Sequence, residues 1–289
     1  MSHKAFRWIF KYSRRFVYWC VTLKDREMPT PKDVTIDVII PVIPKDLKIL
    51  PLCLEGIKEN VSHTIDNIYL VAPELPEITS FCEANGLIFV EEKSVLGYGK
   101  EAVHFVTTKG SDRSGWIYQQ LLKLSGKVGK SRHFLVIDAD HILLRPHTFI
   151  TSTDKLCFYQ SREWHYPYYK NIKKLINRNA IHMLSYVAHK MIFDKESLAA
   201  LRNEIERMNN QPWDKAIVQS LDKREGSSFS EYELYGTYTS PEQKVMLPWM
   251  QKAMKYDKIE KYDILKKKYK KYLSITFPEH YNKKAKKKG

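Results

Sequence analysis

Two aspartates separated by one residue, Asp138 and Asp140, follow the apolar run in HFLVIDADHILLRP, residues 133–146. Phe134 to Ile137 show no polar alternation, which suits a strand covered on both faces, as parallel strands of α/β sheets are. Carboxylates at the exit of such a strand lie where open α/β sheets bind ligands, in the crevice beyond the carboxyl ends of the strands. In extended chain the two side chains point to the same side. Both can then address one divalent cation, or one takes the metal while the other takes a ribose hydroxyl. A hard cation held by few carboxylates keeps positions open for phosphate oxygens, so the chemistry predicted is that of a diphosphate site. Such triplets also occur as solvated loops and helix caps. The place of this one at the end of a buried strand, after three strand–helix units, gives it weight.

Those units are read from periodicity and turn residues. TIDVIIPVI (35–43) is predicted as a first buried strand, LKILPLCLEGIKENV as a helix and NIYLVAP (67–73) as a second strand. PEITSFCEAN follows as a helix closed at Gly86, then LIFVEE (87–92) as a third strand. Strands alternating with helices at this spacing predict an α/β fold, a mostly parallel central sheet with right-handed crossovers flanked by helices. SVLGYGKEAVHFVTTKGSDRSG is too long for a tight turn and is expected to cover a site. The helix WIYQQLLKLSG (116–126) then leads into the acidic strand. No internal repeat is present.

At 289 residues, 43% hydrophobic and 12% aromatic, the chain can bury a sizeable core, so its net charge of +15 is laid over a globular body. Such an excess favours polyanions: nucleic acid, acidic lipid headgroups or phosphorylated ligands. Lys and Arg concentrate at the two ends and in KKKYKK (266–271), without a helix-turn-helix, zinc or RNA-binding signature, so no nucleic acid is expected. The four cysteines form no C-x-x-C pair and are read as reduced, mostly buried thiols of an intracellular protein.

No window has the uncharged apolar length of a membrane span, and no small-residue cleavage site follows the N-terminal segment. Yet in KAFRWIFKYSRRFVYWCVTL (4–23) a helical projection gathers Arg7, Lys11, Arg14 and Tyr18 on one face, and Phe6, Ile9, Phe10, Phe16, Val17 and Cys20 on another. That is the pattern of a helix in a membrane interface, and equally of a helix packed on the domain with its cations in water. The expected organisation is a basic amphipathic helix at 1–26, a proline-containing linker at 27–33, a domain at 34–280 and a basic tail at 281–289. The protein is expected to be cytoplasmic and peripheral on the inner face of an anionic membrane.

DVIIPVIPKD near the start of the domain, RSGWIYQQLLKL, FLVIDADHILLRP and FSEYELYGTY (229–238) together resemble a little-characterised group of glycosyltransferases with the GT-A-type, Rossmann-like fold. The resemblance covers about residues 34–280. It implies a nucleotide-sugar half at about 34–150, an acceptor half at about 151–280, and helical extensions at both ends. It implies a nucleotide-diphospho-sugar donor whose diphosphate is bridged by Mn²⁺ or Mg²⁺ to the D-x-D, and a glycan or lipid-linked acceptor in surface polysaccharide or glycoconjugate synthesis. Asp140 would be the direct metal ligand and Asp138 would face ribose or metal. Pro41, Val42, Lys45 and Asp46 would border the nucleotide. A later histidine is the expected third ligand, and His189 in YVAHKMIF and His280 in ITFPEHY both qualify.

Other motifs have two readings each. In GWIYQQLLKL the apolar stripe leaves Gln120 and Lys123 on another face, ordinarily a solvated one; under the resemblance they and Arg113 neutralise phosphate. In SEYELYG, Ser230 is a predicted N-cap with Glu233 at the capping-box position, a structural role that leaves Glu231 freer to act as the catalytic carboxylate. EWHYPYY (163–169) is either a stacking platform for an acceptor sugar or an ordinary aromatic cluster. A sugar nucleotidyltransferase is the alternative enzyme class, but IIPVIPKDLK lacks the glycine-rich loop that such enzymes place after the first strand.

Overall fold

The computed structural model describes residues 3–23 and 27–278, with the side chains of the first helix from Tyr12 onward. Helix α1 (His3–Leu23) precedes strand β1 (Thr35–Pro41), α2 (Leu50–Asn60), β2 (Thr64–Ala72), α3 (Pro76–Asn85), β3 (Ile88–Glu91) and the short α4 (Glu92–Leu96). Helix α5 (Ser114–Leu124) leads into β4 (His133–Ile137), β5 (His141–Leu143) and β6 (Leu156–Gln160). Then come α6 (Tyr166–Ile176), β7 (Lys190–Asp194), α7 (Lys195–Asn209), α8 (Trp213–Ser220), α9 (Glu231–Tyr238), β8 (Lys244–Pro248), β9 (Gln251–Ala253), α10 (Tyr262–Lys268) and β10 (Ser274–Thr276).

The protein is α/β, with a mostly parallel central sheet flanked by helices. Its strand order is β3-β2-β1-β4-β7. The first four strands run parallel and β7 joins β4 antiparallel. Strands β1 and β4 are buried almost throughout, which their unbroken apolar runs require. Helix α3 ends at Gly86 with φ 63°, the left-handed cap a glycine adopts without strain. Two smaller sheets, β5-β10-β9 and β6-β8, complete the body.

Three arrangements differ from expectation. The acidic segment is two strands rather than one: β4 ends at Ile137, the chain turns, and β5 pairs with β10 in the second sheet. β7, drawn from the expected acceptor half, forms the edge of the central sheet. Residues 27–33, expected as a linker, are tied to the domain, with the Thr148 hydroxyl donating to the Pro29 carbonyl at 2.7 Å and the Lys32 N–H to Ile150 at 2.9 Å.

Helix α2 lies so close to β5 that a Cβ added at Gly56 would stand 2.8 Å from the Leu143 carbonyl oxygen and 2.9 Å from its nitrogen. Backbone cannot swing aside as a side chain does. Gly56→Ala is therefore expected to destabilise by about 1–3 kcal/mol, whereas Gly115→Ala, on open space at the start of α5, should leave the melting temperature unchanged or slightly raised. Thermal unfolding of the two variants checks this; equal melting temperatures would contradict the close approach.

Candidate active site

The antiparallel pairing of β4 with β7 places Ile137 opposite Lys190. The next rung sets Asp138 beside His189, whose carbonyl accepts the Asp138 N–H at 2.9 Å. His189 takes φ 60°, a left-handed conformation uncommon outside glycine that histidine adopts more readily than most residues. On its other side the triplet is held by the second sheet, the Phe277 N–H donating to the Asp140 carbonyl at 3.0 Å. Between these anchors the chain is a turn, closed by the His141 N–H on the Asp138 carbonyl at 2.9 Å. The carboxylates therefore converge through a turn, not through the extended alternation expected.

Donor atoms of Asp138, Asp140 and His189 lie within 4.8 Å of one another, the one such group found among the described residues. Two carboxylates and an imidazole suit a divalent cation with oxygen and nitrogen preference. His280, the other expected ligand, lies outside the described residues.

A buried cation stands behind this cluster. Lys123 Nζ donates to Asp138 Oδ1 at 2.6 Å, to Glu231 Oε1 at 2.8 Å and to the Tyr232 hydroxyl at 3.2 Å. The Tyr232 hydroxyl in turn donates to Asp138 Oδ1 at 3.0 Å. The other carboxylate oxygen, Asp138 Oδ2, faces His189 Nδ1 at 3.0 Å, and His189 Nε2 faces Glu163 Oε1 at 3.1 Å. Burial alone would raise the Asp138 carboxyl, but Lys123 and His189 outweigh it and hold it well below the usual carboxylate range. For Asp140 burial wins and the carboxyl is raised, with His189 pulling the other way. Burial would also neutralise His189, yet Glu163 and Asp138 keep the imidazole protonated well above its ordinary pKa.

These groups open onto a cleft of about 1280 Å³ at the carboxyl edge of the central sheet. Pro41, Val42, Lys45 and Asp46 line it from the end of β1, Gln120 and Lys123 from α5, and Arg113 from the residue that caps α5. Burial pushes Asp46 up to about 6, against an N–H donated by Ile43 at 3.1 Å. Arg113 Nε donates to the Gly226 carbonyl at 2.9 Å, and its guanidinium lies 4.4 Å from the Trp116 ring centre. Gln120 Oε1 accepts the Glu231 N–H at 3.2 Å, fixing the start of α9. The segment expected to cover a site does line this cleft, through Lys100, Glu101, Val103, His104 and Asp112 among others.

The two candidate catalytic glutamates separate. Glu231 lines the cleft, but it is buried and its Oε1 is held by Lys123. Glu233 does not line it. The Ser230 hydroxyl accepts the Glu233 N–H at 3.3 Å as the predicted cap. Its carboxylate, however, accepts the hydroxyls of Tyr169 at 2.7 Å and Ser185 at 2.6 Å and the Tyr186 N–H at 3.1 Å, so Glu233 is a core acceptor away from the cleft, where a catalytic carboxylate was expected. Two cleft groups escaped the sequence reading, Glu163 and Tyr232. Each lies inside a longer motif, EWHYPYY and SEYELYG, whose local pattern does not mark it as a site residue. Glu233→Gln sets an amide donor against hydroxyl and N–H donors and is expected to cost about 1–3 kcal/mol; thermal unfolding reads the loss, and an unchanged melting temperature would contradict this role.

Among solved structures the chain is similar to mouse xyloside xylosyltransferase 1 in its apo form, at 9% identity and a TM-score of 0.49, covering 86% of this chain and 99% of that one. It is similar to an active-site mutant of LgtC at 11% identity and a TM-score of 0.49, covering 84% and 87%. Glucosyl-3-phosphoglycerate synthase from Mycobacterium tuberculosis, in complex with Mn²⁺, uridine diphosphate and glucosyl-3-phosphoglycerate, matches at 14% identity over 65% of this chain and 68% of that one, with a TM-score of 0.33. No curated protein matches the sequence. The model of DUF6492, a family of unknown function, matches residues 33–279, and the chain belongs to that family.

Proposed function

We propose that the chain is a metal-dependent glycosyltransferase, moving a sugar from a nucleotide-diphospho-sugar to a glycan or lipid-linked acceptor in surface polysaccharide or glycoconjugate synthesis. The observation that carries the reading is the convergence of Asp138, Asp140 and His189 at the carboxyl edge of a mostly parallel sheet, inside a cleft spacious enough for a nucleotide and two sugars. Mn²⁺ or Mg²⁺ held by these three residues would neutralise the donor diphosphate and ease departure of the nucleotide.

The remaining roles follow from position. Pro41, Val42, Lys45 and Asp46 border the nucleotide, since they continue from the end of β1 beside the metal ligands. Arg113, just before α5, and Gln120 on it also line the cleft. Lys123 keeps Asp138 ionised, and Glu231 fixes Lys123. Burial raises the Glu231 carboxyl, but its Oε1 is held by Lys123 behind Asp138, so Glu231 is a positioning residue rather than the base expected from its sequence. Glu163, half-exposed on the far side of His189, is the carboxylate placed to receive the acceptor hydroxyl's proton. Residues to about 150 then serve the nucleotide sugar and residues 151–280 the acceptor. The protein works in the cytoplasm, peripheral to a membrane.

Mn²⁺ is expected to raise the melting temperature of the wild type in the presence of a nucleoside diphosphate, as a ligand of the native state does. Asp140→Asn should remove that shift and all donor hydrolysis while keeping the metal-free melting temperature. A metal-induced shift retained in the variant would sink the reading. Against a panel of nucleotide sugars, Glu163→Gln should keep donor binding and lose turnover by a factor on the order of a hundred. Glu231→Gln should instead weaken donor binding as well, because Lys123 loses one of its two anions; a pure turnover defect in Glu231→Gln would restore it as the base.

A further inference from the structure

Helix α1 is docked with Arg14 and Tyr18 inward. Arg14 is only 7% exposed. Its Nε donates to the Met183 carbonyl at 2.8 Å, and its guanidinium lies 4.2 Å from the Trp164 ring centre. One turn later the Tyr18 hydroxyl donates to the Trp249 carbonyl at 2.8 Å. The outward side carries Tyr12, Phe16, Trp19 and Leu23, which are 45%, 63%, 57% and 57% exposed. Their spacing of four, three and four residues puts them in one stripe along the helix. The Phe16 and Trp19 rings lie 6.1 Å apart, and Arg15 sits beside the stripe with its guanidinium 5.7 Å from the Tyr12 ring centre. Neither reading of the amphipathic sequence anticipates this orientation, in which Arg14 is buried while Tyr12, Phe16, Trp19 and Leu23 face solvent.

We infer that the stripe Tyr12, Phe16, Trp19 and Leu23 rests on an anionic lipid surface. Aromatic rings with an arginine at their edge are the chemistry of the headgroup boundary, where an apolar body and a polar or charged rim are both satisfied. The net charge of +15 adds long-range attraction to acidic headgroups and opposes approach of a second copy. Area argues the same way. Aromatic side chains bury about 200 Å² each, so four large side chains a little over half exposed offer roughly 400 Å², about half of what one partner contributes to a stable dimer. No helix of the described residues is long and apolar enough to cross a membrane, so the contact is a surface one.

The same docking couples the lipid surface to the cleft. Arg14 packs on Trp164, the neighbour of Glu163, and Glu163 reaches His189. A bilayer under α1 therefore lies on the side of the cleft assigned to the acceptor, which favours an acceptor anchored in that bilayer; this consequence rests on the glycosyl-transfer reading, whereas the lipid contact does not.

The test is flotation of the full chain with vesicles of phosphatidylcholine, with and without phosphatidylglycerol. Wild type should float with the anionic vesicles and less so as salt rises. Phe16→Glu combined with Trp19→Glu should lower the bound fraction by roughly tenfold or more, while the melting temperature, the Mn²⁺-induced shift and hydrolysis of a soluble donor stay as in wild type. Equal flotation of the double variant would overturn the inference, as would equal binding to neutral and anionic vesicles. So would a wild-type dimer in solution that the two substitutions dissociate. Loss of flotation with donor hydrolysis retained supports the lipid contact by itself; flotation without any donor hydrolysis leaves the contact standing and counts against the enzymatic reading alone.

Discussion

The ammonium of Lys123, buried between Asp138 and Glu231, joins three elements at one point: α5, the end of β4 and the start of α9. Buried ions are costly, and what makes this one tolerable is that both counter-ions and the Tyr232 hydroxyl lie within hydrogen-bond reach. Removing Lys123 leaves two carboxylates without their cation in a dry interior, a loss of several kcal/mol in comparable buried pairs, about 3–5. The arrangement therefore demands that α9 approach closely. Gly236 permits it, since a Cβ there would stand 2.5 Å from the Tyr186 ring. Tyr186 in turn donates its N–H to Glu233. The acid that does not reach the cleft thus helps hold in place the acid that does.

Such a network explains why two adjacent aspartates can differ in state. Asp138 has a cation on each side and stays ionised, whereas Asp140, equally enclosed, relies on the Thr276 hydroxyl at 3.3 Å and on His189. A divalent cation bound beside both would complete the charge balance of Asp140. It would also compete with Asp138 and Glu163 for the imidazole of His189, which must be neutral to bind metal. The large positive excess of the chain does not reside in this cleft. There acids and bases are interleaved, whereas α10 carries Lys266, Lys267 and Lys268 in its last turn.

What could be read from the chain in advance was whatever depends on local pattern. The apolar runs of β1 and β4, the strand–helix alternation and the glycine cap of α3 are all set within a few residues, and each is found where periodicity and turn chemistry place it. The acidic pair and its position at a strand exit were legible for the same reason. Contacts between distant segments were not. Lys123 sits off the apolar stripe of its helix, and nothing local shows that Glu231, more than a hundred residues later, turns that face inward. The pairing of His189 with Asp138 depends on the antiparallel register of an edge strand. Glu233 had a complete local explanation as a helix-capping residue, and its carboxylate went to Tyr169 and Ser185 instead. The orientation of α1 inverts the ordinary rule because Arg14 finds a carbonyl and an indole face in the domain, partners no helical projection contains.

The proposed metal site lies where β4 hands the chain from the central sheet to the second one. Crystals grown with Mn²⁺ and a nucleoside diphosphate test it most directly, through the anomalous scattering of the metal. The expected result is a single strong peak between Asp138, Asp140 and His189, with the diphosphate oxygens completing its coordination and the nucleoside lying along Pro41 to Asp46. Manganese and nucleotide bound elsewhere, or the diphosphate in this cleft with Lys123 and no metal, would contradict it.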